Sequence, residues 1–449
     1  MVDSLRAALA ALYRLLPVHA SESDLAETDE QTRKALPHNF AAIATNGFFF
    51  PTAGRIVAAG LLLTWFVSEL TPSAFWVSII IPIQYGLALI AQPWIAEWLS
   101  GKRRRGRFYT YQALLRGVVW VTLGISSIIL NESSPALLLV IFFAVIVVDA
   151  VAAGVGNIAF SDTLAQAIPK ALRGRVRGWR GVFGGIITAF VGIWIQTSFS
   201  EESGIRAYGL LFIAAGTFYA IGGLVFGLIE VREADAEKEH DPQLGSIISR
   251  IRELWQQDEF RRFVLAQSLI TPIVQGLPFF TLFAKQRFGL EIDALGALLI
   301  VSAVTPIIAN FVWGRLADRL GNRQVLIASA AVGFAAPICA ALLFTTETAS
   351  GWVIALLGVV VFAINTASAG FDLTTKNYIL ELSPSEEERP FYIGVNDTLV
   401  GIPTTLLAAA GFIIDAFGFV PVFVGVAAFT IGGILLTLKL PATEKMPQG

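Results

Sequence analysis

The sequence predicts an all-α integral membrane protein, with twelve transmembrane helices arranged as two pseudo-symmetric six-helix bundles. Three observations carry that expectation. First, 55% of the 449 residues are hydrophobic and only 15% are charged, whereas a soluble domain carries about 25% charged residues. Second, apolar runs recur at about 20 residues, the length that crosses a hydrocarbon core of about 30 Å. Third, these runs fall into two sets of six around one long polar gap. Strand-period alternation is missing from them, which argues against a transmembrane β-barrel.

Taken in order, residues 1–38 are polar with charges of both signs and read as a cytoplasmic tail. Residues 39–230 form the N-terminal bundle, with apolar runs at 40–68, 75–99, 108–130, 136–158, 178–199 and 207–229. Residues 231–261 form a cytoplasmic linker. It begins acidic (Glu233, Asp235, Glu237) and continues with Ile247, Ile248, Ile251, Leu254 and Trp255 at helical spacing, an amphipathic helix suited to a membrane surface. Residues 262–440 form the C-terminal bundle, with runs at 262–285, 292–313, 324–345, 352–376, 391–415 and 419–439, and residues 441–449 form a second cytoplasmic tail.

Orientation follows from the basic residues, which stay on the cytoplasmic side of membrane proteins. Alternating the spans puts Arg206, Lys285 and Arg287 in outer loops and Arg55 and Arg116 inside spans; every other one of the 32 lysines and arginines falls on one face. Both termini are therefore expected in the cytoplasm of a cell with the protein in its inner membrane.

Composition also narrows the function. A formal net charge of −2 gives no reason to expect nucleic acid. The single cysteine, Cys339, lies in an apolar run and the three histidines lie outside the runs, so no disulfide framework, metal site or cofactor is expected. No phosphate loop of the G-x-x-x-x-G-K-[ST] type is present, and no nucleophile–base constellation, so neither an ATP-driven pump nor an enzyme is expected.

One motif stands out. Gly314-Arg315-Leu316-Ala317-Asp318-Arg319-Leu320-Gly321-Asn322-Arg323 reads G-x-x-x-D-x-x-G-x-R between two apolar runs. Its four charges would cost several kcal/mol each at the bilayer centre, so it reads as a tight loop at the membrane surface. A degenerate copy follows the second span: at Pro93–Arg105, Glu97 stands where Asp318 stands and Gly101 where Gly321 stands. A second pair of segments, Asp162–Pro169 and Asn377–Pro384, also occupies matching places in the two halves.

The motif and its copy resemble the signature loop of the major facilitator superfamily, and the resemblance extends over nearly the whole chain after residue 38. It implies two six-helix halves with substrate bound between them near mid-membrane. It also implies a secondary active transporter of a small organic solute, working by alternating access. Proton coupling, export and a monomer in the lipid bilayer are the accompanying expectations. A lipid scramblase or a non-transporting sensor on the same fold is the alternative.

Arg55 is the most informative single residue, because an arginine inside a span needs a partner or a function. Asp149, at similar depth in the fourth span, is the expected partner and the expected protonation site; alternatively Arg55 binds an anionic group of the substrate directly. Asn46, Gln84, Tyr85 and Asn157 in the first half, and Gln267, Gln275 and Asn365 in the second, are candidate substrate contacts, although polar side chains in spans also serve as helix–helix hydrogen bonds. Asp372 and Lys376, one turn apart, read as a local ion pair. Glu97, Gly101, Asp162, Arg177 and Arg180 of one half, with Gly314, Arg315, Asp318, Arg319, Gly321 and Arg323 of the other, read as a cytoplasmic gate whose ion pairs form in one conformational state and break in the other.

Overall fold

A computed structural model of the protein describes residues 30–87, 94–95, 98–99, 102, 105–199, 204–231, 244–346, 351–385 and 388–441. Among the described residues there is no strand. Eleven helices are long and apolar enough to cross a membrane, and Ala74–Leu87 is a shorter apolar helix at the start of the second predicted span. Most of that span's remainder, and Glu97 and Gly101 with it, lie outside the described residues. Large apolar side chains such as Phe190, Phe311, Phe412 and Phe417 are 61–76% exposed, which in a protein of this composition is the surface offered to lipid.

The helices are α1 (Glu30–Ile56), α2 (Thr64–Leu70), α3 (Ala74–Ser78), α4 (Arg105–Leu130), α5 (Pro135–Ala167), α6 (Lys170–Ser198), α7 (Gly204–Phe226), α8 (Leu244–Gln256), α9 (Asp258–Val274), α10 (Leu277–Phe288), α11 (Ile292–Leu320), α12 (Asn322–Gly333), α13 (Ala335–Phe344), α14 (Gly351–Leu382), α15 (Arg389–Leu406), α16 (Ala408–Phe417) and α17 (Phe419–Thr437). Two wide turns of π type, Ala59–Leu63 and Pro82–Leu87, interrupt the first two spans. Helix α8 buries Leu254 and leaves Trp255 37% exposed.

Two compact units emerge, and they do not follow the two halves of the sequence. Unit 1 comprises residues 1–57, 91–190 and 205–239; unit 2 comprises residues 58–90, 191–204 and 240–449. Segments 58–90 and 191–204 of the first half thus pack with the second.

Unit 1 is drawn together by glycines at a close crossing of α4 and α7. A Cβ on Gly117 would lie 2.9 Å from the carbonyl oxygen of Gly216, and one on Gly209 would lie 2.8 Å from that of Gly124. Small residues at such a crossing let two backbones approach where no hydrophobic force drives helices together.

The first helix of each half is broken. In the first span, α1 ends at Ile56 and Ala58 turns extended (φ −75°, ψ 143°) before the π turn begins. In the seventh, α9 ends at Val274 and α10 starts at Leu277. Prolines lie just upstream of both breaks, Pro51 and Pro272; each withholds an N–H from the helix ladder.

Candidate functional site

The sequence expectation of an Arg55–Asp149 pair is corrected by the structure. Asp149 is paired with Arg116, on the neighbouring helix α4. Arg116 Nε donates to Asp149 Oδ1 at 2.7 Å and Nη2 to Oδ2 at 3.0 Å, a bidentate fork. Trp120 Nε1 donates to the same Oδ1 at 2.6 Å, and Arg116 Nη2 also reaches the Tyr219 hydroxyl. The Arg116 guanidinium lies 4.0 Å from the Tyr219 ring centre. Asp149 and Arg116 are 3% and 8% exposed. Two charges so deeply buried persist only with matched geometry and satisfied donors, and α4 and α5, joined by the tight turn at Asn131–Ser133, supply both. Arg116 was noticed in the sequence only as a charge within a span.

Arg55 therefore stands without a carboxylate partner among the described residues. It occupies the last turn of α1, beside the break. Its Nη2 approaches the Gly181 carbonyl at 3.4 Å, and its Nη1 is buried with no hydrogen-bond partner. Space for the guanidinium exists because α6 has glycine opposite: a Cβ on Gly184 would sit 2.8 Å from Nη1. Gly47 does the same for α6, since a Cβ there would meet the Arg180 Cα at 2.6 Å.

Arg180 points to the same region with neutral partners only. Nε donates to Asn46 Oδ1 at 2.9 Å and Nη2 to the Tyr109 hydroxyl at 3.2 Å, and the guanidinium lies 4.5 Å from the Phe160 ring centre. Asn46 in turn donates to the Gly222 carbonyl at 2.8 Å, so this predicted contact residue is fully engaged in helix packing. Asn157 is exposed and makes none of these bonds. Of the predicted gate residues in unit 1, Asp162 accepts from Gln166 at 2.9 Å, while Arg177 has no acceptor among the described residues and feels the like charges of Arg180 and Arg173.

In unit 2 the polar groups differ in kind. Gln267 Nε2 donates to Asn396 Oδ1 at 2.7 Å, both side chains being buried. Asn365 donates to the Val361 carbonyl at 2.9 Å and to Ser302 Oγ at 3.4 Å. Gln275 lies at the break between α9 and α10, with a buried Oε1 that accepts nothing. The local Asp372–Lys376 ion pair expected from the sequence is not formed: among the described residues neither makes a salt bridge, although Asp372 feels the charge of Lys376. Asp397 also feels both of them, and accepts only from Asn396 Nδ2, at 3.4 Å. Tyr85, beside Gln84 in the π turn Pro82–Leu87, feels Asp372, and both side chains are exposed.

The motif at residues 314–323 is not a ten-residue loop. α11 runs on through Leu320, and the turn is the single residue Gly321 at φ 87°, ψ 161°, before α12 begins at Asn322. That φ is open to glycine and strained for other residues. Arg315 packs over Phe311 at 3.7 Å. Asn322 donates to Glu381 at 2.7 Å and Arg323 Nη1 to the Leu440 carbonyl at 2.6 Å. Asp318 and Arg319 have no polar partner among the described residues, and Gly314 faces open space.

A second polar contact in unit 2 joins segment 58–90 to the second half. Asp415, on α16, accepts from Ser73 Oγ at 2.5 Å and from the N–H groups of Ala74 and Phe75 at 2.7 and 3.2 Å. Lys285 forms an ion pair with Glu69 and donates to the Trp65 carbonyl at 3.3 Å. Nothing in the sequence marks Asp415 or Glu69 except their position at span ends.

Comparison with known proteins agrees with this architecture. Residues 43–368 and 273–449 match the profile of the Major Facilitator Superfamily. Uncharacterised proteins of Mycobacterium tuberculosis and Mycobacterium bovis are 25% identical over 278 residues, covering 60% of this chain and 52% of theirs; the chain thus spans about half the length of the curated relatives it matches. An uncharacterised transporter of the same superfamily from Bacillus subtilis is 29% identical over 173 residues, 37% of this chain and 38% of its own. Among solved structures, a mutant of the nucleoside transporter NupG superimposes with a TM-score of 0.66 at 11% identity, over 89% of this chain and 99% of that one. A D-xylose-proton symporter does so at 0.64 and 12%, over 91% and 98%. Likeness at such identities shows the fold, and the profile match carries the family: the chain is a multi-pass membrane protein belonging to the Major Facilitator Superfamily.

Proposed function

We propose that the protein is a secondary active transporter that moves a small organic solute across the inner membrane by alternating access, with protons as the coupling ion and both termini in the cytoplasm. It works as a monomer within the bilayer. The observation that carries the coupling is the pair of carboxylates Asp372 and Asp397, on α14 and α15, which hold no ion-pair partner among the described residues although they lie within span-forming helices. Intramembrane carboxylates of this kind mark proton relays, and one reached alternately from the two sides loads a proton on one and releases it on the other. Lys376 tempers the charge of both without neutralising either at bonding distance. That a D-xylose-proton symporter shares the fold makes such coupling compatible with the architecture.

Asp149 takes a different role in this reading from the one the sequence suggested. Held by Arg116 and Trp120 through both oxygens, it locks α4 to α5.

The test is flux in proteoliposomes carrying an internal pH dye. A substrate identified by solute screening should drive proton movement in the wild type. Asp372→Asn or Asp397→Asn should abolish proton movement while sparing solute exchange without a gradient. Solute flux indifferent to the gradient in all three proteins would overturn the coupling. Loading solute inside or outside scores export, the direction read from the sequence, against import.

A further inference from the structure

We propose that Arg55, Arg180 and the open face of α6 form a site for an anionic group, a carboxylate or a phosphate, on the transported solute. The inference rests on the transporter reading and adds the substrate's chemical class.

The first ground is charge without compensation. Arg55, Arg177 and Arg180 lie together in unit 1, and none has a carboxylate within salt-bridge distance among the described residues. Asp149, the carboxylate that the sequence offered Arg55, has both oxygens taken by Arg116 and Trp120. Arg180 is held by an amide oxygen and a phenol, which orient a guanidinium and leave its charge intact. Arg55 has one long bond to a carbonyl and one buried nitrogen with none. Its place at a helix C-terminus helps by about 0.3–1 kcal/mol. An arginine inside a span costs at least about 2.5 kcal/mol, so the helix end does not account for it.

The second ground is space beside the charge. A Cβ on Gly174, Gly178 or Gly181 would meet nothing within 4 Å. At 100° per residue these three share one face of α6, and Arg177 and Gly184 lie at its edge. The face is thus a lane without side chains, with guanidinium groups along one border and Arg55 at the Gly181–Gly184 end. Glycine at such positions lets a ligand approach the backbone closely.

The third ground is what the site lacks. A pair of neutral hydrogen-bonding residues would serve a sugar or a nucleoside, but Asn46 is committed to Arg180 and the Gly222 carbonyl. What remains free to bind is positive. Guanidinium pairs with carboxylate and phosphate through charge-assisted, bidentate hydrogen bonds, about twice as strong as neutral ones.

The experiment is thermal unfolding of the purified full-length protein in detergent, read by its ten tryptophans. Succinate, citrate, inorganic phosphate and glycerol phosphate are titrated against xylose, uridine and sodium chloride at matched ionic strength. The expected result is saturable stabilisation by one anion class only; the carboxylate and phosphate arms decide which. Arg55→Gln should weaken that binding by at least about tenfold, the equivalent of one lost charge-assisted contact, and Arg55→Lys should recover part of it. Because Arg55→Gln removes an unpaired charge, its unfolding midpoint without ligand should not fall. Gly178→Leu, which fills the lane without touching a charge, gives a second route to the same loss.

Stabilisation by neutral solutes alone, or by no solute in the panel, overturns the proposal. So does an anion effect that survives unchanged in both Arg55→Gln and Gly178→Leu. The two readings fail separately. Proton-driven flux of a neutral solute that ignores Arg55→Gln removes the anion site and leaves the transporter. Arg55-dependent anion binding with no proton-driven flux of that anion keeps the site and removes the coupling.

Discussion

The two units solve the same structural problem with opposite chemistry. The first helix of each half of the sequence is broken, in the first half where unit 1 ends at residue 57, and a polar group stands beside each break. In unit 1 that group is a donor, the buried Nη1 of Arg55; in unit 2 it is an acceptor, the buried Oε1 of Gln275. The contrast continues around them. Unit 1 has Arg55, Arg116, Arg177 and Arg180 with Asp149 as the one carboxylate bonded to them among the described residues. Unit 2 has Asp372 and Asp397 with Lys376 as the cation they feel. The pseudo-repeat thus fixes where the backbone opens and leaves each copy free to carry its own charge. A transporter whose solute and coupling ion have opposite charge can divide them between two such copies.

The largest effect should come from the buried Arg116–Asp149 ion pair. Asp149→Ala strands the Arg116 guanidinium, and breaking a buried pair in this way costs about 3–5 kcal/mol. Asp397→Asn in unit 2 should cost less than about 1 kcal/mol, because the side chain makes a single long hydrogen bond. Unfolding midpoints in detergent compare the two directly. The double variant Arg116→Met with Asp149→Leu should recover most of the loss. Equal midpoints for Asp149→Ala and Asp397→Asn would remove the distinction between a structural and a functional carboxylate.

The contrast also shows what was legible beforehand. The all-α membrane fold and the family could be read because they depend on composition and periodicity, which hydrophobic burial enforces over long stretches. Pairing inside the bundle depends on which helix faces are in register. Arg55 and Asp149 were matched by depth alone, and depth does not say which helices are neighbours. One signal was available: α4 and α5 are joined by a tight turn, and Arg116 and Asp149 are equidistant from it, so the hairpin brings them level. The motif at residues 314–323 was placed correctly between two helices but read as a loop, because its charges look soluble. A helix that overruns the apolar zone carries such charges in water without unwinding, and Gly321 alone makes the turn. The exchange of segments 58–90 and 191–204 between units had no sequence signal, since it depends on which packing the chain adopts.

A smaller effect should separate two kinds of glycine, one on α1 packed against α6 and one on the open face of α6. A Cβ at Gly47 would meet the Arg180 backbone at 2.6 Å, and backbone cannot move aside as a side chain can. Gly47→Ala should therefore cost about 1–3 kcal/mol, the usual range for overpacking. Gly178→Ala meets nothing and replaces a poor helix former, so it should gain up to about 1 kcal/mol. If the two substitutions shift the midpoint alike, the close packing of α1 on α6 is not what places Arg55.

Next comes Asp415, whose carboxylate collects a hydroxyl and two backbone N–H groups at the start of α3. Asp415→Ala removes a cap and should cost about 0.5–2 kcal/mol. Lys285→Met nearby should cost less, about 0–1 kcal/mol, because Glu69 is 43% exposed and exposed pairs contribute little. The larger consequence of both concerns conformation, since these contacts tie segment 58–90 to α10 and α16. A cysteine placed at Ser73 should react faster with a membrane-impermeant thiol reagent in Asp415→Ala than in the parent. An unchanged rate would mean the contact is incidental.

The smallest change in stability is expected at Asp318, and it is the most discriminating. A residue that pairs in one conformational state and not in another is idle in the second. In this structure Asp318 makes no ion pair among the described residues, while its neighbours Asn322 and Arg323 are anchored. Asp318→Asn should thus leave the unfolding midpoint within about 0.5 kcal/mol, the range of a surface change. Transport flux should nevertheless fall, because the state in which Asp318 finds a base is lost from the cycle. Arg177→Gln makes the parallel case in unit 1, where the gate role and the anion site compete for one residue. A gate role predicts that it lowers flux with binding of the anion intact, and a site role predicts that both fall together. If Asp318→Asn changes neither stability nor flux, the charges at the end of α11 serve only to keep that end in water.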